Sequence, residues 1–187
     1  MTVDDFIAHF PDGLPIPPLL VKLADYCTRP GYILPGDLEL TRKGRWQAIA
    51  WFNDDETAAR PFVIFAIDKA DSSFGYWRYA DQPLDQAPLV YLDTEGGDES
   101  TVLANTFEEF LALLAIGNPA YTITMVEGED TSEDDEGIAR YRTWLREEIG
   151  IAAPTISEAH AIVERAQAAH PSLPAMVDRW LEERDAR

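Results

Sequence analysis

The chain has 187 residues, of which 46% are hydrophobic and 11% are aromatic, and this is the composition of a folded globular protein. It carries 34 Asp and Glu residues against 15 Lys and Arg residues, which gives a formal charge of −19. Because this charge repels phosphate groups, we expect neither a nucleic acid nor a membrane surface among the partners.

The N-terminus and the cysteine content favour a cytoplasmic protein. The single cysteine, Cys27, excludes an internal disulfide bond. Asp4 and Asp5 lie where a secretory signal would carry positive charge. No apolar run approaches the length of about 18 residues that a membrane span needs. We therefore expect a cytoplasmic location.

The first half of the chain changes from helical to extended periodicity. Apolar residues recur at helical spacing over residues 19–27, and the turn-forming sequence Arg29-Pro30-Gly31 follows. Between residues 38 and 104, aromatic and β-branched runs alternate with turn-forming residues. This pattern predicts strands at 38–42, 46–52, 61–67, 74–79, 88–92 and 101–104. Their short connections favour antiparallel neighbours.

A helix is predicted directly after these strands. Thr106 and Glu109 have the spacing of a capping box, and Gly117 is a typical helix stop. Phe107 and Phe110 lie on one face of this helix, which would cover one face of the sheet. The sequence therefore predicts an α+β fold: a central antiparallel sheet of about five to six strands with flanking helices.

The remainder of the chain has a different character. Residues 121–126 have the pattern of one more strand, and seven of the ten residues in 127–136 are acidic. Helical periodicity then predicts three helices between residues 138 and 181. We divide the chain into an α+β domain (1–117), an acidic linker (118–136) and a C-terminal helical extension (137–187).

Most of the negative charge falls in one interval. Between Arg78 and Arg140 there are 15 Asp or Glu residues and no Lys, Arg or His. Such a surface either keeps the protein soluble or steers a basic partner by electrostatic attraction. Composition does not choose between these two interpretations.

The chain lacks the usual sequence motifs of enzymes. There is no nucleophile elbow, no phosphate-binding loop and no dinucleotide fingerprint. An EF-hand loop beginning at Asp130 would need glycine where Asp135 stands and glutamate where Tyr141 stands. The histidines have no metal-ligand spacing. We expect no catalytic residue, no metal site and no cofactor. An enzyme that uses carboxylates or a hard cation is a remote alternative.

Two groups of residues are candidates for contacts with a partner. In a strand over 74–79, Tyr76 and Arg78 would face one side while Trp77 and Tyr79 face the other. One pair would lie in the core, and the other would form an exposed patch of residue types common at binding hot spots. The second group is an acidic turn: Asp93, Glu95, Asp98 and Glu99.

Trp46 and Trp51 would lie on opposite faces of the strand predicted at 46–52, because their separation is odd. One of them would therefore face away from the main core. We expect the C-terminal helices to cover it.

The second half of the sheet region resembles a known family. The run Pro88-Leu89-Val90-Tyr91-Leu92, the turn Glu95-Gly96-Gly97 and the segment from Asn105 to Leu111 resemble the C-terminal half of SUKH-superfamily domains. These domains are bacterial relatives of a fungal cell-wall-synthesis regulator. The resemblance implies an α+β fold with a central antiparallel sheet. For many bacterial members it also implies immunity, in which the protein binds and neutralises a cognate toxin.

We therefore expect a non-enzymatic protein of immunity type that neutralises a bacterial toxin, such as a nuclease, by direct protein–protein contact. Its partner would be a basic protein, since nuclease toxins present basic surfaces to phosphate. The alternative is a regulatory or scaffold module that docks through its C-terminal helices.

Overall fold

Five segments rich in aromatic and β-branched residues form the central sheet. The computed structural model describes residues 1–11, 13–94, 99–125 and 136–186. Consecutive strands pair antiparallel, so the sheet order follows the chain order. The strands are β1 (Glu39–Leu40), β2 (Phe62–Ile67), β3 (Ser73–Trp77), β4 (Leu89–Leu92) and β5 (Thr101–Ala104). The predicted α+β fold with an antiparallel sheet is confirmed.

Helices of the described residues precede, interrupt and follow the sheet. The α-helices are α1 (Val3–Ile7), α2 (Pro18–Tyr26), α3 (Gly44–Trp51), α4 (Glu56–Ala59), α5 (Phe107–Leu114), α6 (Glu136–Trp144), α7 (Ile156–Ala169) and α8 (Leu173–Asp185). A π-helical turn, Leu145–Ile149, extends α6. Short 3₁₀ helices lie at Pro35–Asp37, Leu84–Gln86 and Pro119–Thr124. None of the described helices is long and apolar enough to cross a membrane.

The strand predicted at 46–52 is wrong, because this segment is helix α3. Ala48 and Phe52 are both buried, and their spacing of four residues puts them on the helix face that packs on the sheet. Gly44 allows the helix to begin directly on β2, since a Cβ at this position would overlap the carbonyl oxygen of Ile64. The burial of Ala48 and Phe52, four residues apart, thus favours a helix over the strand that the alternating pattern predicts.

The strand predicted at 121–126 is also wrong. The described part of this segment belongs to the 3₁₀ helix Pro119–Thr124. The side chain of Asn118 caps its first turn by accepting a hydrogen bond from the N–H of Ala120 at 3.0 Å. A capped 3₁₀ helix therefore forms here in place of the β-strand that the β-branched residues favour. Of the predicted acidic linker, residues 126–135 lie outside the described residues.

One face of the sheet packs against α1, α2, α5 and the C-terminal helices. The ring of Phe65 lies 5.6 Å from that of Phe107 and 5.4 Å from that of Phe110, so α5 covers the middle of this face. Tyr141 of α6 donates a hydrogen bond to the carbonyl of Leu111 at 2.9 Å. Val163 of α7 completes the same core.

The other face of the sheet packs against α3 and the last two helices. Buried apolar residues of four strands meet α3, α4, the end of α7 and α8 here: Phe62, Ile64, Trp77, Val90, Leu92, Val102, Ala48, Phe52, Ala59, Ala166, Leu173 and Val177. The C-terminal helices therefore contribute to the cores on both faces. Residues 137–186 therefore pack on both faces of the sheet that belongs to the predicted α+β domain.

The order of the strands fixes two ends of the sheet. The connection from β3 to β4 lies at one end, which we call the Tyr79 end. The turn from β4 to β5 lies at the other, which we call the Asp93 end. The four residues of β4 separate the two ends by roughly 13 Å at about 3.3 Å per residue.

Truncation of the chain after Gly117 is expected to abolish cooperative unfolding. It would remove ten buried apolar side chains of residues 137–186 and expose both faces of the sheet. Eight of the ten are larger than alanine, and the burial of each of these contributes about 1.5–3 kcal/mol, whereas a whole domain is stable by only about 5–15 kcal/mol. Thermal unfolding followed by circular dichroism measures this. Deletion of residues 186–187 is the control that should melt like the full chain. A truncated chain with a cooperative transition near that of the full chain would contradict the shared cores.

Candidate functional site

Two of the predicted partner residues, Tyr76 and Trp77, are buried on opposite faces of β3. Tyr76 is 1% exposed and packs on Phe107, and Trp77 is 3% exposed and stacks on Phe62. Both are covered because helices lie on both faces of the sheet. Alternation along the strand is as predicted, but neither residue presents a surface to a partner.

The next two residues, Arg78 and Tyr79, lie just beyond β3. The guanidinium of Arg78 donates to the carbonyl of Gln82 at 2.7 Å and to that of Asp81 at 3.0 Å. It therefore shapes the β3–β4 connection. Tyr79 is 40% exposed. Its hydroxyl lies 3.0 Å from Nδ1 of His170, which fixes an exposed tyrosine against the C-terminal helices.

Three exposed carboxylates belong to segments at this end of the sheet: Asp81 and Asp85 to the β3–β4 connection, and Glu108 to the first turn of α5. Asp81, Asp85 and Glu108 are exposed, and none forms an ion pair with another described residue. Burial raises the pKa of Tyr76 well above its ordinary value, and the charges of Glu108 and Asp85 raise it further. We call Tyr79, Asp81, Asp85 and Glu108 the Tyr79-end surface.

The acidic turn lies at the Asp93 end. Asp93 is only 7% exposed. Its carbonyl accepts a hydrogen bond from Nε1 of Trp51 at 2.7 Å, and its N–H donates to Oγ of Ser100 at 2.9 Å. Asp93 therefore anchors the turn. Glu99 is exposed, while Glu95 and Asp98 lie outside the described residues.

The structure does not bring the two predicted groups into one site. Tyr79 and Glu99 lie at opposite ends of the sheet, because β4 runs between them. A small partner domain that contacts one group would not contact the other. Antiparallel pairing of the strands predicted at 74–79 and 88–92 already indicates this separation, because the first strand ends where the second begins.

Sequence reasoning missed a cleft beside the Asp93 end. It encloses about 920 Å³ between α3 and α8, over the ends of β2, β3 and β4. Its walls include three tryptophans, Trp46, Trp51 and Trp180. Trp51 contacts Trp180 with ring centroids 6.2 Å apart, which confirms that a C-terminal helix covers one of the two tryptophans in the 46–52 segment.

Trp46 is the most exposed large apolar side chain of the described residues, with 61% of its surface accessible. It lines the cleft together with Arg42 and Lys43. A signal for this feature was present in the sequence. Arg42, Lys43 and Arg45 fall within four positions, directly before Trp46, in a chain of charge −19.

The described residues offer little for covalent or metal chemistry. Within these residues, no three His, Cys, Asp or Glu side chains converge as a metal site would need. Burial raises the pKa of the Cys27 thiol to about 12, so it stays protonated at neutral pH. A protonated, buried thiol is a poor nucleophile.

Comparisons with protein-family models, with curated proteins and with solved structures found no match to this chain. The likeness to SUKH domains therefore rests on the sequence pattern.

His170 is expected to titrate below its ordinary pKa of 6.5, because its partial burial favours the neutral ring. Folding stabilises the neutral form of His170. Its contribution to the free energy of unfolding is therefore present above pH 6.5 and is lost as the pH falls through the folded-state pKa. Nε2 of His170 lies 3.0 Å from Oδ1 of Asn105, so the side-chain amide of a His170→Gln variant can still donate a hydrogen bond to Asn105.

Two measurements check this expectation: NMR titration of the imidazole, and urea unfolding between about pH 5 and pH 8. The wild-type free energy of unfolding should fall on acidification more steeply than that of His170→Gln. The same pH dependence of the free energy of unfolding in both proteins, or an imidazole titration midpoint above pH 6.5, would refute the stabilisation of the neutral ring.

Proposed function

We propose that this chain is a non-enzymatic, immunity-type protein of the cytoplasm that binds a basic bacterial toxin domain and blocks it by direct contact. Its resemblance to SUKH domains supports this proposal. A nuclease is a fitting target, because a surface that binds phosphate is positively charged. Neutralisation by coverage of such a surface needs a complementary surface and no catalytic group.

The Tyr79-end surface is the observation that carries the proposal. Asp81, Asp85 and Glu108 are exposed and have no basic partner among the described residues. Their charge is therefore available to attract a basic surface, and such attraction raises association rates by roughly 10- to 1,000-fold. Tyr79 adds a rigid aromatic group of the kind that supplies binding energy at hot spots.

The turn at the Asp93 end has a different role in this proposal. The charges of Glu95, Asp98 and Glu99 add to the field that attracts a basic partner. The described part of this turn lies at the other end of β4, roughly 13 Å from the Tyr79 end. Salt screens charges over about 10 Å at 0.1 M ionic strength. This turn therefore contributes to the rate of encounter rather than to direct contact.

The proposal is tested by capture of the partner with the tagged full-length chain from its native cells. Washes at low and high salt, beside an equally acidic control protein, separate specific binding from charge alone. The captured protein is then expressed with and without the chain to measure protection of growth. We expect one basic partner that is toxic alone and tolerated with the chain. Failure to retain such a partner, or a captured toxin against which the chain gives no protection, would contradict the proposal.

Two variants with equal charge changes locate the contact. Asp81→Asn, Asp85→Asn and Glu108→Gln together are expected to weaken binding of the captured partner by about tenfold or more, since each removes an exposed carboxylate from the surface. Glu95→Gln, Asp98→Asn and Glu99→Gln are the matched control at the other end, and should mainly slow association. Surface plasmon resonance gives both rates. If both triple variants bound the partner with the same rates as the unchanged chain, an electrostatic contact at either end would be excluded.

A further inference from the structure

The cleft between α3 and α8 has the size and lining of a small-molecule site. Its volume of about 920 Å³ lies within the range of roughly 300–1,000 Å³ that ligand pockets occupy. Ile67 and Ser73, at the ends of their strands, form part of its floor, while Gln47 and Leu181 belong to the two helical walls. The cleft is separate from the Tyr79-end surface, so it is independent of the proposed function.

Two of the three tryptophans in the cleft are fixed, and the third is free. Nε1 of Trp51 donates to the carbonyl of Asp93 at 2.7 Å, and Nε1 of Trp180 donates to Oδ2 of Asp55 at 3.2 Å. Trp46 makes no ring contact with any other described residue. It presents an open, planar face on which an aromatic ring can stack.

Two cationic residues close to Trp46 in the sequence also line the cleft. Arg42 and Lys43 are exposed and line the cleft, and neither side chain has an ion-pair partner among the residues that the structure describes. Arg184 also lines the cleft, but it is engaged with Asp185 at 3.2 Å and lies over the ring of Trp180. Arg42 and Lys43 are thus the cations available to an anion.

The lining also contains carboxylates. Glu39 and Asp71 are exposed in the cleft, and they accept hydrogen bonds while they repel an anion. The lining therefore combines the exposed indole ring of Trp46, two cationic side chains and carboxylates that can accept hydrogen bonds from amino or hydroxyl groups. From this combination we infer that the cleft binds a nucleoside phosphate. Its base would stack on Trp46 and its phosphate would meet Arg42 and Lys43.

The first test is an NMR titration of the full-length chain with AMP in about 0.1 M salt, where the negative field of the protein is screened beyond about 10 Å. The chain has five tryptophans, whose indole N–H signals are assigned by single Trp→Phe substitutions. We expect saturable shifts of Trp46, Trp51 and Trp180. Trp77 and Trp144 lie in the cores and are internal controls that should not move.

Ligand fragments test the two halves of the proposed ligand. Adenosine lacks the phosphate, and ribose 5-phosphate lacks the base. Each is expected to bind at least about tenfold more weakly than AMP, because base–aromatic stacking and charge–charge contacts each contribute that much or more. Adenosine binding as tightly as AMP would overturn the role of Arg42 and Lys43.

Variants of exposed residues complete the test without altering the core. Trp46→Ala should weaken AMP binding by about tenfold or more, and Trp46→Phe should restore most of it because a planar ring remains. Arg42→Gln with Lys43→Gln should weaken binding similarly. Lys22→Gln with Arg60→Gln makes the same charge change at exposed positions that do not line the cleft, and is the matched control.

Two results would overturn the inference. One is the absence of any saturable shift with AMP. The other is binding that Trp46→Ala leaves unchanged, since the ligand would then lie outside the cleft. Neither outcome bears on capture of a toxin at the Tyr79-end surface.

Discussion

The structure depends on covering both faces of a five-stranded antiparallel sheet. Antiparallel sheets often leave one face to water, but here β3 carries large apolar groups on both, with Tyr76 on one face and Trp77 on the other. Helices that precede and interrupt the sheet cover only part of this surface. Packing by α6, α7 and α8 completes it, so the C-terminal segment is part of the folding unit rather than an appendage.

This constraint also places the candidate functional features. Because helices occupy both faces, a partner reaches the sheet at its ends or its edges rather than at its faces. The Tyr79 end presents carboxylates and a tyrosine held by His170. The cleft opens beside the other end, where α3 and α8 diverge over the sheet. A scaffold that docks through α7 or α8 would have only their outer faces available, because the inner faces lie in the cores.

Local patterns predicted much of the fold, and long-range packing decided the rest. The five strands of the sheet, and helices α2, α5, α7 and α8, follow from periodicity and caps such as Thr155, whose capping box is present. The segment 46–52 misleads because its apolar residues suit either period, and the burial of Ala48 and Phe52 against the sheet favours the helix. Alternation alone could not show that Tyr76 and Trp77 are both buried.

Native-state hydrogen exchange tests the central claim, that the C-terminal helices and the sheet form one cooperative unit. Elements that open only on global unfolding exchange with the same free energy. We predict that the slowest amides of α7 and α8, near Val163 and Val177, share the opening free energy of Phe74 and Val90 in the sheet. A lower free energy for α7 and α8, with the sheet still protected, would show that the helices detach on their own and would contradict the account.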